Sequence, residues 1–167
     1  MKAIDITTTA LYVALFTVLD YLGNQLTFLS MPNGGSVSLS VIAILVSSYH
    51  LGYKKGLLVA ICCVIMMGIT GTIYTVSVTS YVLEYLVAFG VYGLASIFKN
   101  YKYFYSGVLI VGVIRLLCHL AAGVIFWETT LWGSLLYNGP YMAATTLLSL
   151  ILVPIICKYI KPLQKKY

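Results

Sequence analysis

The apolar runs of this chain are too long, and too nearly free of charge, for a soluble fold. Between residues 77 and 98 the one charged side chain is Glu84, and between 106 and 126 it is Arg115. Each run matches the roughly 20 residues that an α-helix needs to cross the hydrocarbon of a bilayer. Charged residues make up 8 % of the chain, where soluble domains carry about 25 %. The 167 residues, with short connections, leave room for about six spans and little else. We therefore expect one all-α integral membrane domain over residues 1–167, made of six transmembrane helices, with no soluble domain or long linker.

The hydrophobic pattern predicts helices over about 6–21, 37–49, 56–71, 77–98, 106–126 and 141–160. Lys2 precedes the first, Lys54 and Lys55 separate the second and third, and Lys99 and Lys102 separate the fourth and fifth. Lys158, Lys161, Lys165 and Lys166 end the chain. The connections around 23–36, 72–76 and 127–140 hold no Lys or Arg. Basic residues stay on the cytoplasmic side of a membrane, so both termini are expected inside. A net charge of +6 distributed this way is a topology signal and not a nucleic-acid patch.

Other chemistries find no support. Asp5, Asp20 and a row of threonines break any signal-peptide pattern, and no small-residue cleavage site follows. The four cysteines lack C-x-x-C spacing and lie in apolar runs, which points to inert buried thiols rather than disulfides or metal ligands. Gly52-Tyr-Lys-Lys-Gly56 has neither the spacing nor the Ser/Thr of a nucleotide-binding loop.

Glu84 carries the functional signal. A carboxylate inside a span is costly unless something pairs with it, which makes it a candidate site. It lies seven residues from the outer start of its predicted helix, about 10 Å deep at about 1.5 Å per residue. Ser77, Ser80, Tyr81 and Glu84 form a stripe at helical spacing, with Tyr85 beside it. His119 lies seven residues from the outer end of the fifth helix, at matching depth, in the series Arg115, His119, Gly123, Trp127. Near the start of the sixth, Asn138, Tyr141 and Thr145 follow the same spacing, below a segment rich in aromatics that holds Trp127, Trp132 and Tyr137. Three helices thus bring polar and aromatic groups to the outer third of the membrane, as a small-molecule pocket requires. A fixed negative charge among ring faces suits an organic cation.

Plainer readings stand beside this one. Glu84 and Arg115 would make a structural ion pair one turn apart in depth. Membrane tryptophans and tyrosines ordinarily anchor at the interface, and a lone histidine is ordinarily a satisfied core residue. The glycines of the fifth helix fit helix packing, and Ala10-Leu-Tyr-Val-Ala14 fits packing inside the bundle. Asp20 and Glu128 are expected at the solvated outer surface, and His50 at the inner interface.

Length, helix count and the order of these residues resemble the substrate-binding (S) components of energy-coupling factor vitamin transporters, most closely the thiamine-specific family. The resemblance covers essentially the whole chain. It rests on Leu83-Glu84-Tyr85 with the small and aromatic run to Gly90, on His119 with Trp127 and Trp132, and on Tyr137-Asn138-Gly-Pro-Tyr141. It implies thiamine as ligand. Glu84 would balance the thiazolium or bond the aminopyrimidine, Tyr85 and His119 would line the ring pocket, and Trp127 would stack. Tyr137, Asn138 or Tyr141 would bond the pyrimidine edge, with Tyr74 a further ligand. The family's first outward loop can carry a tryptophan; Met31-Pro-Asn-Gly-Gly-Ser36 has none, which leaves Trp132 or Phe28 to close over the site.

The resemblance also implies that Ala10 and Ala14 dock a transmembrane coupling subunit, with two ATPase subunits as the energy source and no enzymatic activity or cofactor in this chain. Three readings compete with this one: an S component for another vitamin or heterocyclic precursor, a self-sufficient proton-coupled transporter with Glu84 as relay, and an intramembrane enzyme. The last lacks a second carboxylate or nucleophile beside Glu84 and His119.

Overall fold

Inside a bilayer every backbone N–H and C=O must find a partner within the protein, so the chain closes its hydrogen bonds within helices. The computed structural model describes residues 3–26, 31 and 35–160. Phe28, half of the Met31–Ser36 turn cluster (Pro32, Asn33 and Gly34), Lys2 and the lysines beyond residue 160 lie outside the described residues. The elements are α1 (Ala3–Gln25), α2 (Val41–Leu51), α3 (Tyr53–Thr70), α4 (Val78–Ile97), a short hairpin of β1 (Asn100–Tyr101) and β2 (Phe104–Tyr105), α5 (Ser106–Phe126) and α6 (Leu131–Tyr159). Five of these helices are long and apolar enough to span a membrane. The protein is an all-α integral membrane protein.

The exception is α2. Its 11 residues reach about 16 Å, short of the ~30 Å hydrocarbon. Yet it is the most buried helix: every side chain from Val41 to Ser48 is buried, and it packs against α1, α3, α4 and α6. The expected helix over 37–49 begins only at residue 41, because residues 35–40 run non-helically into the bundle. That segment is tolerated because the protein satisfies its backbone: Gly35 N–H donates to the Tyr137 hydroxyl at 3.3 Å and Ser38 N–H to Thr145 Oγ1 at 3.1 Å.

Helix α1 is the opposite case. Its buried positions form one stripe, Thr9, Tyr12, Phe16 and Asp20, while Leu11, Leu15, Val18 and Leu22 face outward. The basic connections share one end of the bundle. Lys55 pairs with Asp5 near the start of α1 at 2.7 Å, and Tyr49 packs edge-on against Tyr105 of the hairpin at 4.7 Å. The positive-inside rule places that end in the cytoplasm.

Helix α6 departs from expectation. It starts ten residues earlier than predicted, at Leu131, and runs through Pro140. Thr130 caps it, its hydroxyl accepting from Gly133 N–H at 3.0 Å, and Pro140 is exposed. The aromatic outer segment expected as a loop over 127–140 is therefore mostly helix, and the true connection is 127–130.

Close helix approach depends on glycine. A Cβ on Gly56 would lie 2.5 Å from the Gly93 carbonyl oxygen, and one on Gly107 would lie 2.0 Å from that of Ala95. Beside the first contact, Ser48 Oγ donates to Gly93 O at 2.7 Å and accepts from Ser96 N–H at 3.1 Å, joining α2 to α4. Gly56→Leu is expected to separate α3 from α4 and cost about 1–3 kcal/mol, the usual range for overpacking. The check is the melting temperature in detergent, with Gly23→Ala as control, since nothing lies within 4 Å of a Cβ there. Equal melting temperatures would contradict the packing account.

Candidate functional site

Glu84 reaches the site through a local departure from α-helix. Ser77 caps α4, its hydroxyl accepting from Ser80 N–H at 3.1 Å, and after one turn the backbone widens into a π-helix over Val82–Val87. Such wide turns inside helices are frequent at functional sites. Rotation per residue is smaller there, so consecutive residues Glu84 and Tyr85 both turn inward, and both are buried.

The Glu84 carboxylate is 8 % exposed. Ser80 Oγ donates to its Oε2 in a short hydrogen bond, and the indole Nε1–H of Trp127 is shared between the two oxygens at 3.3 and 3.4 Å. His119 Nδ1 stands 3.8 Å from Oε1. No Lys or Arg pairs with Glu84 among the described residues. The considered ion pair with Arg115 does not form: the guanidinium lies 4.4 Å over the Phe89 ring and 5.4 Å from that of Tyr92, whose hydroxyl accepts from Nη1 at 3.4 Å.

Glu84 faces a cavity of about 300 Å³ that opens at the end of the bundle opposite the basic connections. Of the residues singled out in the sequence, Tyr74, Glu84, Tyr85, His119, Trp127, Tyr137, Asn138 and Tyr141 all line it. Trp132 does not; the early start of α6 turns it outward, 69 % exposed. Asp20, expected in solvent, is buried at 8 % exposure, whereas Glu128 is exposed.

The walls differ in chemistry. Tyr74 and Trp127 stack face to face, 5.5 Å between centroids and 18° between planes. Tyr85 supports that pair from behind: its hydroxyl accepts from Tyr74 N–H at 2.9 Å and donates to Tyr74 O at 3.0 Å. Tyr81, Tyr85 and Phe89 then stack in sequence down α4, with centroids 5.9 and 6.1 Å apart. On α6, Asn138 Oδ1 accepts from the Tyr141 hydroxyl at 2.5 Å while its amide donates to Ser134 O and Oγ at 3.0 and 3.2 Å.

Sequence reasoning missed Gly35, Thr129, Gly133 and Ser134 as lining residues. Ser134 is legible only once α6 is known to begin at Leu131. Gly123, read as a packing glycine, both packs and lines: a Cβ there would lie 2.2 Å from Ser134 Oγ.

Ala10 and Ala14 are elsewhere. They sit on the exposed face of α1 in an apolar groove of about 620 Å³, between Ile6, Val13 and Val18 and the α3 residues Leu58, Cys62 and Met66.

The family model described as thiamine transporter protein (Thia_YuaJ) matches residues 6–165. The chain belongs to this thiamine transporter family. It is 28 % identical over 165 residues to the thiamine transporter ThiT of Bacillus subtilis (strain 168), an alignment covering 86 % of this chain and 85 % of that one. Its fold is similar to the solved structure of ThiT from Listeria monocytogenes, with a TM-score of 0.77, 22 % identity and 93 % of each chain covered. Membership makes the protein a membrane transport protein and not an enzyme.

The Tyr85 hydroxyl holds the Tyr74 backbone through two hydrogen bonds, so Tyr85→Phe is expected to release the Tyr74–Trp127 stack. Two neutral hydrogen bonds of this kind are worth about 1–3 kcal/mol together. In a Trp132→Phe background, acrylamide should quench Trp127 emission more strongly after Tyr85→Phe. Unchanged quenching would show that the stack holds without the hydroxyl.

Proposed function

We propose that this chain is the thiamine-binding subunit of an energy-coupling factor importer, and that it captures thiamine from the outer face of the membrane. The observation that carries the reading is Glu84: a buried carboxylate, held by neutral donors, facing a cavity of about 300 Å³ with no Lys or Arg paired to it among the described residues. A monocation of drug-like size completes that arrangement. Thiamine supplies a thiazolium charge for Glu84 and an aminopyrimidine whose edge carries both donors and acceptors. Trp127 and Tyr74 offer it an aromatic wall, and His119, Tyr137, Asn138 and Tyr141 offer polar atoms.

Tyr85 acts here through Tyr74, because its hydroxyl is already engaged. A neutral vitamin such as riboflavin leaves the buried carboxylate unpaired, and selectivity follows from that penalty. The preference for a cation is what distinguishes this reading from an S component for a neutral vitamin.

Uptake then needs partners. The groove on α1 exposes Ala10 and Ala14 as a small-residue face against which another membrane helix packs closely. A transmembrane coupling subunit docks there, and two ATPase subunits supply the energy.

Two experiments test the two halves. In calorimetric titration of the detergent-purified chain, Glu84→Gln is expected to weaken thiamine binding about 100-fold, about 3 kcal/mol, while Glu128→Gln changes it little. Equal, small effects would remove the cation-pairing argument. Ala14→Trp, in cells that also express the coupling and ATPase subunits, is expected to abolish ATP-driven uptake while purified protein binds thiamine as before. Unimpaired uptake would move the docking face off α1.

A further inference from the structure

Beside the ligand cavity lies a second, smaller chamber of about 40 Å³, large enough for a water molecule. The two share Gly35, Tyr85, His119 and Tyr141 as walls. The smaller one is lined by Asp20 of α1 and by Arg115 of α5, the only arginine in the chain. Both are buried, at 8 % and 6 % exposure. Neither makes a direct ion pair among the described residues. Among the described residues, Arg115 Nε is a buried donor without a partner, and His119 Nε2, on the next turn, is a buried ring nitrogen without one.

Asp20 is not held there by chance. Its Oδ1 accepts from Ser40 Oγ at 3.1 Å, and its Oδ2 lies 3.4 Å from the amide nitrogen of Asn24. Ser40 Oγ in turn bonds Ser38 Oγ at 2.8 Å. Charges in such an interior are screened far less than at a surface, so Arg115, one helical turn from His119 on α5, and Asp20 both act on the ligand site. Among the described residues, Glu84 is the only formal charge lining the larger cavity, and Asp20 and Arg115 are the only ones lining the smaller.

We propose that Asp20 and Arg115 form a mutually neutralising charge pair across the smaller chamber, and that Asp20 thereby determines specificity for a monocation. The inference rests on thiamine being the ligand. Arg115 alone would set a positive charge next to the ligand cavity and cancel much of the attraction of Glu84. Asp20 offsets it, so the two cavities together carry the single negative charge of Glu84. The ligand that completes the count has one positive charge.

The test uses the purified full chain and two probes: thiamine, and an analogue whose thiazolium is replaced by an uncharged aromatic ring. Asp20→Asn keeps an oxygen acceptor for Ser40 and removes only the charge. It is expected to weaken thiamine binding about tenfold or more and to leave the neutral analogue unchanged. Asp20→Asn combined with Arg115→Gln removes both charges and is expected to restore thiamine binding to within about threefold of the parent.

A purely structural role for Asp20 predicts otherwise. Both ligands would then lose affinity alike, and removing a second buried group would not restore binding; either result overturns the pair. Should Asp20→Asn not fold, Arg115→Gln alone decides. It leaves an extra negative charge and is expected to hold thiamine at least as tightly as the parent, so a tenfold loss there overturns the proposal. A parent chain that binds no thiamine refutes the ligand assignment instead, a distinct outcome.

Discussion

A carboxylate is costly to keep inside a membrane protein, and the surroundings of Glu84 are arranged around that cost. Ser80, one turn before it on α4, and Trp127, at the end of α5, each donate a hydrogen bond to it. These bonds hold the charge in place without neutralising it. A salt bridge to Arg115 would have done so, but Arg115 is turned down onto Phe89 and Tyr92. The site therefore retains the unmet demand for a cation on which the proposed binding rests.

Several irregularities of the fold serve the same end. The π turn over Val82–Val87 aims Glu84 and Tyr85 inward together. The non-helical run over 35–40 brings Gly35 to the cavity wall, against Tyr137 and Tyr141. Irregular backbone at membrane depth survives only where protein buries it or it lines a cavity, and both segments line one. Elsewhere, as at the Gly56–Gly93 contact, the bundle packs tightly and regularly.

Much of this was legible in the sequence, for physical reasons. Long uncharged runs and basic connections follow directly from the bilayer, so the number of helices and their alternation could be read. Glu84 and His119 could be matched in depth because helices rise uniformly, and Trp127 falls on the same face as His119. The misplaced residues share a cause in context. The last helix was expected only from residue 141, but Pro140 is exposed inside it and Thr130 caps it well before, which turns Trp132 outward. Asp20 looked like a solvated residue near a helix end, because nothing local announces that Ser40 and Arg115 come to meet it. Ser134 and Gly35 line the cavity through tertiary packing, which no periodicity encodes.

The most direct test of the account follows Trp127 itself. In the Trp132→Phe protein it is the only tryptophan, and its indole nitrogen touches Glu84. Titration with thiamine should quench its fluorescence saturably at submicromolar concentration, and riboflavin or biotin should not. A flat response to thiamine, from protein shown to be folded and confirmed by calorimetry, would contradict the claim that Glu84 and its cavity are a thiamine site.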